Sequence, residues 1–236
     1  MLKKQHSTSK RLPRGLEILY EDRDIIVVDK PAGLLTVGTG TNKFKTAWYI
    51  LTDHIRKGRA KSRYRIVVVH RLDQWISGVL IFAKSEEAKS QLQAQWKRTE
   101  KTYVAVVYGH LAQKQGTITS YLCENKAYVV YSTTDVTKGK LAHTAYRVLK
   151  ETKQFSLLEI NLLTGRKNQI RVHMADKGHP IVGDRKYGKP NDGYSRLALH
   201  SKSISFKHPT SGEQMTFESK VPDYFNKLIG NIQERL

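Results

Sequence analysis

The segment His-Arg-Leu-Asp at residues 70–73 places a basic and an acidic side chain where an apolar stretch ends. The β-branched run at 66–69 predicts a buried strand, and a second apolar run follows at 79–82. Because side chains alternate along a strand, Arg71 and Asp73 are expected to share one face and Leu72 to point away. An ionised carboxylate held where a rigid element meets a loop can act as a nucleophile or a base. The alternative is a surface ion pair that closes the strand.

The chain carries a formal net charge of +20 and has a pI near 10.0. Lys and Arg recur along its whole length, so the positive field favours a polyanionic partner, with nucleic acid as the default. The alternative is that the charge serves solubility through self-repulsion. A protein of the membrane surface would need an amphipathic helix with a clustered basic face, and the sequence contains none.

The cysteine and histidine content excludes two further classes. Cys123 is the one cysteine, so an intramolecular disulfide and a Cys-rich metal site are impossible. The nine histidines show no metal-ligand spacing, so we expect no metal. The N-terminus has no apolar core of a secretory signal, and no run reaches the length of a membrane span. We therefore expect a soluble, cytoplasmic protein.

The element pattern predicts an α+β fold. Short strands outnumber helices and are mostly joined by turns, which favours a mixed, mainly antiparallel sheet with flanking helices over a doubly wound fold. Ser85 is a good helix N-cap, followed by an apolar stripe of Ala88, Leu92 and Trp96. Strands are predicted in the segment 16–29, which alternates into the apolar run at 25–28, and at 103–108, 142–149 and 155–162. A closing hairpin is predicted at 197–206 and 213–217, and helices at 46–55, 167–177 and from 222 onward.

The sequence shows no internal repeat and no linker that would separate two domains. Residues 1–14 are rich in Lys, Arg and Ser and are predicted to form a flexible basic arm. Residues 15–236 are predicted to form one domain.

Several separated segments, in a fixed order, resemble the RluA family of RNA pseudouridine synthases. The resemblance spans nearly everything from Leu16 to Phe217. Each segment is a modest signal, but the ordered set is specific. The segments are Leu-Tyr-Glu-Asp at 19–22, Val-Asp-Lys-Pro-Ala-Gly at 28–33, His-Arg-Leu-Asp at 70–73 with Ser-Gly at 77–78, Lys-Thr-Tyr at 101–103 with Gly109, Thr-Gly-Arg at 164–166, Gln-Ile-Arg-Val-His at 169–173, and Gly-His-Pro-Ile-Val-Gly-Asp at 178–184.

The resemblance implies an enzyme that isomerises uridine in RNA without a cofactor, in a pseudouridine synthase fold with a central active-site cleft. The family's catalytic carboxylate matches Asp73. Its arginine partner matches Arg171, and a nearby guanidinium favours the ionised form of a carboxyl group. The family's tyrosine, thought to stack on the target uracil, matches Tyr103. Whether Asp73 attacks the sugar, attacks the ring or removes a ribose proton stays open.

The expected partner is ribosomal or transfer RNA, bound by a monomer without a metal. The target base must leave its stack to reach the carboxylate. By resemblance Arg71 helps to hold or replace the flipped nucleotide. Trp75 departs from the family pattern, and its aromatic ring is expected either to stack on a neighbouring base or to close the site as an apolar lid. The predicted RNA-binding residues are Arg71, Trp75, Arg166, Lys167 and Gln169.

The chain departs from the family at two places beside the predicted site. Gln-Trp-Ile at 74–76 stands where a basic residue and a Thr are usual, and Lys-Asn at 167–168 stands where Thr-His is common. These departures affect the expected substrate choice and loop geometry more than the reaction type. About 15 residues precede the first predicted strand, too few for the S4-type RNA-binding domain of many relatives.

Two other function classes remain open. One is a non-catalytic RNA-binding or ribosome-assembly protein on the same fold, in which Asp73 would be dispensable. The other is a nucleic-acid hydrolase, which commonly uses clustered carboxylates with metal ions. The sequence has 21 acidic residues, none of them clustered beside Asp73.

Overall fold

The computed structural model describes residues 10–38, 44–57, 59, 64–189 and 193–232. The chain divides into two compact units. The first unit comprises Met1–Thr99 and Ser203–Ser219, and the second comprises Glu100–Lys202 and Lys220–Leu236.

Regular structure in the described residues consists of twelve strands and four α-helices. The strands are β1 (Lys10–Arg11), β2 (Glu17–Glu21), β3 (Ile25–Lys30), β4 (Val67–Val68), β5 (Ser77–Ala83), β6 (Glu100–Tyr108), β7 (Gln115–Glu124), β8 (Val130–Thr133), β9 (Lys140–Glu151), β10 (Phe155–Leu162), β11 (Leu199–Lys207) and β12 (Gln214–Glu218). The helices are α1 (Ala47–Arg56), α2 (Glu86–Ala94), α3 (Gln169–Asp176) and α4 (Asp223–Ile229).

The first unit is built on antiparallel strands β1, β2, β3 and β5, each paired with the next. Strand β4 pairs with β5 through Val67 and Val68, and the hairpin of β11 and β12 belongs to this unit from Ser203 onward. All seven residues of β5 are buried, as expected for a strand covered on both faces.

Helix α2 covers the apolar core of the first unit. The Ser85 side chain accepts a hydrogen bond from the backbone N–H of Ala88 at 3.0 Å, which confirms the predicted N-cap. Ala88 and Leu92 are buried in the core. The helix ends before Trp96, which packs on the core from the following turn and lies 4.7 Å from the ring of His70.

The second unit is a five-stranded antiparallel sheet in the order β6-β10-β9-β7-β8. Helix α3 lies against β8, β9 and β7. Its buried face carries Val172, which packs in a cluster with Leu122, Val130 and Ala142.

These strand pairings confirm the predicted α+β class with a mainly antiparallel sheet. The closing hairpin and the final helix are also confirmed. Two boundaries differ. The strand predicted at 66–69 is reduced to Val67 and Val68, and α3 begins at Gln169 instead of Lys167 because Asn168 has a left-handed backbone, with φ of 53°.

Residues 1–9 of the expected basic arm lie outside the described residues. Lys10 and Arg11 pair with Ile18 and Glu17 of β2, and residues 13–15 form a 3-10 turn. Regular structure is therefore present before position 15. Within the described part of the chain, no helix is both long and apolar enough to cross a membrane.

Candidate functional site

Asp73 lies in the first unit, in the loop between β4 and β5. The residue before it, Leu72, is buried, and its backbone is held twice by the buried Thr36. The Thr36 hydroxyl donates to the Leu72 carbonyl at 2.8 Å and accepts from the Leu72 N–H at 3.2 Å. The Ile76 N–H donates to the Asp73 carbonyl at 3.1 Å and closes a turn. The Asp73 loop, residues 70–76, is therefore fixed on both sides of the carboxylate.

A second set of contacts ties the Asp73 loop to the turn after β3. The Gly33 N–H donates to the Gln74 carbonyl at 2.8 Å, and the Gln74 side-chain amide donates to the Gly33 carbonyl at 3.1 Å. Gly33 has a φ of +89°, a region that residues with a Cβ rarely adopt. The Pro-Ala-Gly turn predicted from the sequence is thus the support on which the loop rests.

Lys30, the last residue of β3, is fully buried beside this loop. Its ammonium donates to the carbonyls of Leu34 at 2.8 Å, Pro31 at 2.9 Å and Gln74 at 3.2 Å. Burial lowers the pKa of Lys30 to about 7, although the negative charges of Asp73 and Asp29 oppose the shift. A buried cation therefore acts electrostatically on the Asp73 carboxylate and anchors the loop that carries it.

The other predicted residues of the Asp73 loop face outward. Arg71 is exposed, and Trp75 is 49% exposed, with its ring packed over Gly33. His70 points inward, where its Nε2 accepts the backbone N–H of Ile81 at 3.2 Å. The loop thus presents a cation and an aromatic ring to the surface, while His70 attaches its first residue to β5.

Arg171 lies in the second unit, on α3, and forms an ion pair with Asp184. The Arg171 Nε and Nη2 atoms donate to the two Asp184 carboxylate oxygens, each at 2.7 Å, in a bidentate pair. Nη1 donates to the side-chain oxygen of Asn168 at 3.1 Å, and the guanidinium lies 5.0 Å from the ring centre of Tyr187. Three side chains therefore fix the orientation of one guanidinium.

Asp184 is itself held in place by its backbone surroundings. Its side chain is fully buried, and Oδ1 accepts the backbone N–H groups of Lys186 at 2.9 Å and Tyr187 at 3.0 Å. Burial alone would raise the pKa of Asp184, but its bonds with Arg171 and these backbone groups hold the pKa below the ordinary value. The carboxylate is therefore ionised at neutral pH.

The position of Asp184 depends on the glycine before it. Gly183 has a φ of +74°, and a Cβ there would lie 2.1 Å from the carbonyl oxygen of Arg196. The close approach of these backbones therefore requires glycine, and it places Asp184 under Arg171.

Tyr103 lies on β6, opposite Ile160 of β10, and is largely buried. Lys101, two residues earlier on the same strand, is also buried, and burial lowers its pKa below the ordinary value. The alternation of a strand gives Lys101 and Tyr103 the same face. A buried lysine beside a tyrosine was not predicted.

The remaining predicted RNA-binding residues precede or begin α3. Arg166 is exposed and donates from Nε to the Leu141 carbonyl at 3.1 Å. Lys167 is exposed and pairs with Glu124. Gln169 is buried, and its amide bonds the Thr164 hydroxyl, the Arg166 N–H, the His143 carbonyl and the Thr144 hydroxyl. Gln169 therefore has an internal structural role, which leaves its amide little capacity for RNA.

The structure thus gathers Asp73, Arg71 and Trp75 in the first unit. It places the other predicted residues (Tyr103, Arg166, Lys167, Gln169 and Arg171) in the second. The prediction from sequence missed the two anchors, Lys30 and Asp184. A lysine two residues beyond the apolar run at 25–28, before the Pro-Ala-Gly turn, was the available signal for the first. No group of three or more His, Cys, Asp or Glu side chains among the described residues is arranged to hold a metal.

Sequence comparison relates the chain to characterised RNA-modifying enzymes. Residues 24–176 match the family described as RNA pseudouridylate synthase. The chain is 38% identical over 216 residues to the dual-specificity RNA pseudouridine synthase RluA of Yersinia pestis, covering 86% of this chain and 98% of the relative. It is 35% identical over 201 residues to the enzyme of the same name from Vibrio cholerae, covering 83% and 79% respectively.

Solved structures agree on the fold. Human RNA Pseudouridylate Synthase Domain Containing 1 matches with a TM-score of 0.69 and 26% identity, over 90% of this chain and 86% of that chain. Human RNA Pseudouridylate Synthase Domain Containing 4 matches with a TM-score of 0.72 over 88% and 89% of the two chains. At 24% identity the latter supports the fold alone.

Proposed function

We propose that this chain, which belongs to the RluA-type RNA pseudouridine synthases, isomerises specific uridines of ribosomal or transfer RNA. The observation that supports this most strongly is the match to relatives named dual-specificity RNA pseudouridine synthases over more than four fifths of the chain. The net charge of +20 is that of a protein with a polyanionic substrate.

The reaction moves one bond within a nucleotide. The bond from the uracil nitrogen to the ribose breaks, and a ring carbon takes the place of that nitrogen on the sugar. The proton released from that carbon is balanced by one gained at the freed nitrogen, so no co-reactant is needed. We assign the catalytic carboxylate to Asp73, because its type and motif position fit this chemistry and its loop is rigidly held.

The electrostatic surroundings support this assignment. The buried amine of Lys30 interacts electrostatically with the negative charge of Asp73 and bonds the carbonyl of Gln74, the next residue of the loop. We assign to Arg171 the role of a second positive partner, and its orientation by Asp184 fits a residue that must hold one position. We assign to Tyr103 stacking on the uracil.

We infer that the target base is flipped out of its stack before the reaction. Extrusion costs a few kcal/mol and is easier from a loop than from a duplex. Arg71 would hold or replace the flipped nucleotide, and Trp75 would stack on a neighbouring base or cover the site. Both side chains are accessible for these roles.

We further infer that the enzyme acts as a monomer in the cytoplasm and without a metal. The presence of one cysteine fits a reducing compartment. Sedimentation of the purified protein tests the monomer, and activity in the presence of a chelator tests the metal.

Pseudouridine mapping of total RNA tests the proposed function. Cells that lack the protein should lose one or a few pseudouridines in ribosomal or transfer RNA, and the purified protein should restore them on the extracted RNA. Unchanged maps, together with no pseudouridine formed by the purified protein on RNA from the deletion strain, would contradict the proposal.

A further inference from the structure

The turn between β7 and β8, in the second unit, ends in a tyrosine with an unusual conformation. The Tyr128 side chain is 72% exposed, and its φ of +59° lies in the left-handed region. Bulky residues rarely adopt this conformation, because their Cβ approaches the backbone. An exposed ring contributes little to a core, so stability does not explain why a tyrosine stands there.

The turn is nonetheless firmly built. The side-chain oxygen of Asn125 accepts the N–H groups of Ala127 and Val129, each at 2.9 Å, and the Tyr128 N–H donates to the Asn125 carbonyl at 3.0 Å. Lys186 donates from Nζ to the Tyr128 carbonyl at 2.7 Å. The backbone that carries the exposed ring is therefore held in one conformation, and backbone strain of this kind is common at functional sites.

One lysine ammonium lies beside this ring, and two further lysines lie in or against its turn. The ammonium of Lys167 lies 5.6 Å from its centre, while pairing with Glu124. Lys126 is exposed in the same turn. Lys186 lies 5.6 Å from the ring centre of Tyr187. Tyr187 is also the ring against which Arg171 packs, so Lys186 and Tyr187 connect the turn of Tyr128 to the predicted active-site arginine through a series of contacts.

We propose that Tyr128, flanked by Lys167 and Lys186, is a platform on which an unpaired base next to the target uridine stacks. An exposed aromatic ring between cations matches single-stranded RNA, because the ring takes the base and the ammonium groups take the phosphates. The inference rests on the proposed function for its ligand class and adds a binding site outside the catalytic residues.

The test uses the full-length protein and a fluorescein-labelled oligouridine of about 12 nucleotides as the probe. Tyr128→Asn removes the ring and introduces a residue that tolerates a left-handed backbone. We expect it to raise the Kd for the oligonucleotide about five- to fiftyfold, with a Tm equal to or above that of the wild type. Tyr128→Trp keeps a stacking surface and should stay within about twofold of the wild-type Kd.

Tyr131→Thr is the matched control, since it removes an exposed ring from the neighbouring strand β8. It should leave the Kd unchanged. An unchanged Kd in Tyr128→Asn, or a lower Tm together with weaker binding, would overturn the proposal.

The readouts separate this proposal from the proposed function. An enzyme that forms pseudouridine while Tyr128→Asn binds normally refutes the platform alone. A protein that forms no pseudouridine, yet binds the oligonucleotide through Tyr128, refutes the proposed activity alone.

Discussion

The two units hold their predicted catalytic side chains in different ways. In the first unit, the Asp73 loop is fixed mainly through backbone groups, by Thr36, Gly33 and the buried Lys30. In the second unit, Arg171 is fixed by side chains, above all by both oxygens of Asp184.

The difference has two consequences. Support through several backbone contacts is shared, so the loss of one contact leaves the others in place. Support through a buried bidentate pair is concentrated, because removing one partner leaves an uncompensated charge. The anchors also differ in titration, since the pKa of Lys30 is lowered to about 7 whereas the pKa of Asp184 lies below its ordinary value, so that Asp184 stays ionised.

Removal of the Asp184 carboxylate should have the largest effect. Asp184→Ala leaves Arg171 without its main partner and two backbone N–H groups without an acceptor. We expect a loss of about 3–5 kcal/mol in the free energy of unfolding. Asp184→Asn should lose less of the free energy of unfolding than Asp184→Ala, because asparagine keeps the shape of the pair. It should still lower kcat at least tenfold, because it removes the negative charge that holds Arg171. Urea unfolding and single-turnover kinetics measure both effects.

Asp176→Asn is the control. Asp176 ends α3, the helix that carries Arg171, and its carboxylate is exposed and bonds Ser132. It should change neither quantity appreciably. Equal effects at Asp176 and Asp184 would contradict the claim that Asp184 is the main support of Arg171.

Loss of the Lys30 ammonium should have a smaller effect. Lys30→Met leaves three carbonyls without their donor but removes a buried charge, and these contributions partly cancel. We expect a loss of about 2 kcal/mol in the free energy of unfolding. Lys89→Met, at a partly exposed lysine of α2, provides the comparison. If Lys30→Met lost more of the free energy of unfolding than Asp184→Ala, the claim that the Asp73 loop has several supports and Arg171 one main support would be contradicted.

Titration of Lys30 should also appear in the pH dependence of stability. The pKa of Lys30 is lowered in the folded state, so the unfolded chain binds more protons between about pH 7 and the ordinary value of 10.5. The free energy of unfolding therefore rises with pH in that window, by about 1.4 kcal/mol per pH unit at most. Below pH 7, the destabilisation caused by burying a protonated Lys30 is fully present.

Unfolding free energies of the wild type and Lys30→Met should accordingly diverge between pH 7 and 9, with the wild type gaining. The same comparison for Arg171→Met should show no such divergence. Parallel pH profiles for wild type and Lys30→Met would mean that Lys30 keeps an ordinary pKa.

Trp75→Ala should have the smallest effect on the fold. The ring is half exposed and lies over Gly33, so its removal should leave the Tm within about 2 °C of the wild type. If it stacks on a neighbouring base, the KM for the RNA substrate should rise about five- to tenfold while Trp75→Phe stays near the wild type. Unchanged kinetics on the true substrate would exclude Trp75 from RNA recognition.

Local signals in the sequence predicted much of the fold. The Ser85 cap and the run that became β5 follow from residue types alone. The strand at 66–69 was predicted too long, because the chain leaves the sheet after Val68 to bond Thr36 and Gln93. The start of α3 was predicted two residues too early, because the tolerance of Asn168 for a left-handed backbone was not used as a signal.

The sequence supplied the proposed reactive groups of the candidate site but not the residues that support them. The motif at 70–73 made Asp73 the candidate carboxylate because its residue type suits the proposed chemistry. Lys30 and Asp184 act through partners distant in sequence, Gln74 and Arg171 respectively, and such contacts form only in the folded chain. Gln169 shows the opposite difficulty. Its position beside a basic turn predicted a contact with RNA, but its side chain is buried.

The most direct test of the central claim is a single-turnover assay of wild type and Asp73→Asn on the RNA that the mapping identifies. The substitution keeps the size of the side chain and removes its charge. We predict RNA binding within about twofold of the wild type and at least a thousandfold slower pseudouridine formation. Formation at a rate near that of the wild type would contradict the assignment of Asp73 as the catalytic carboxylate.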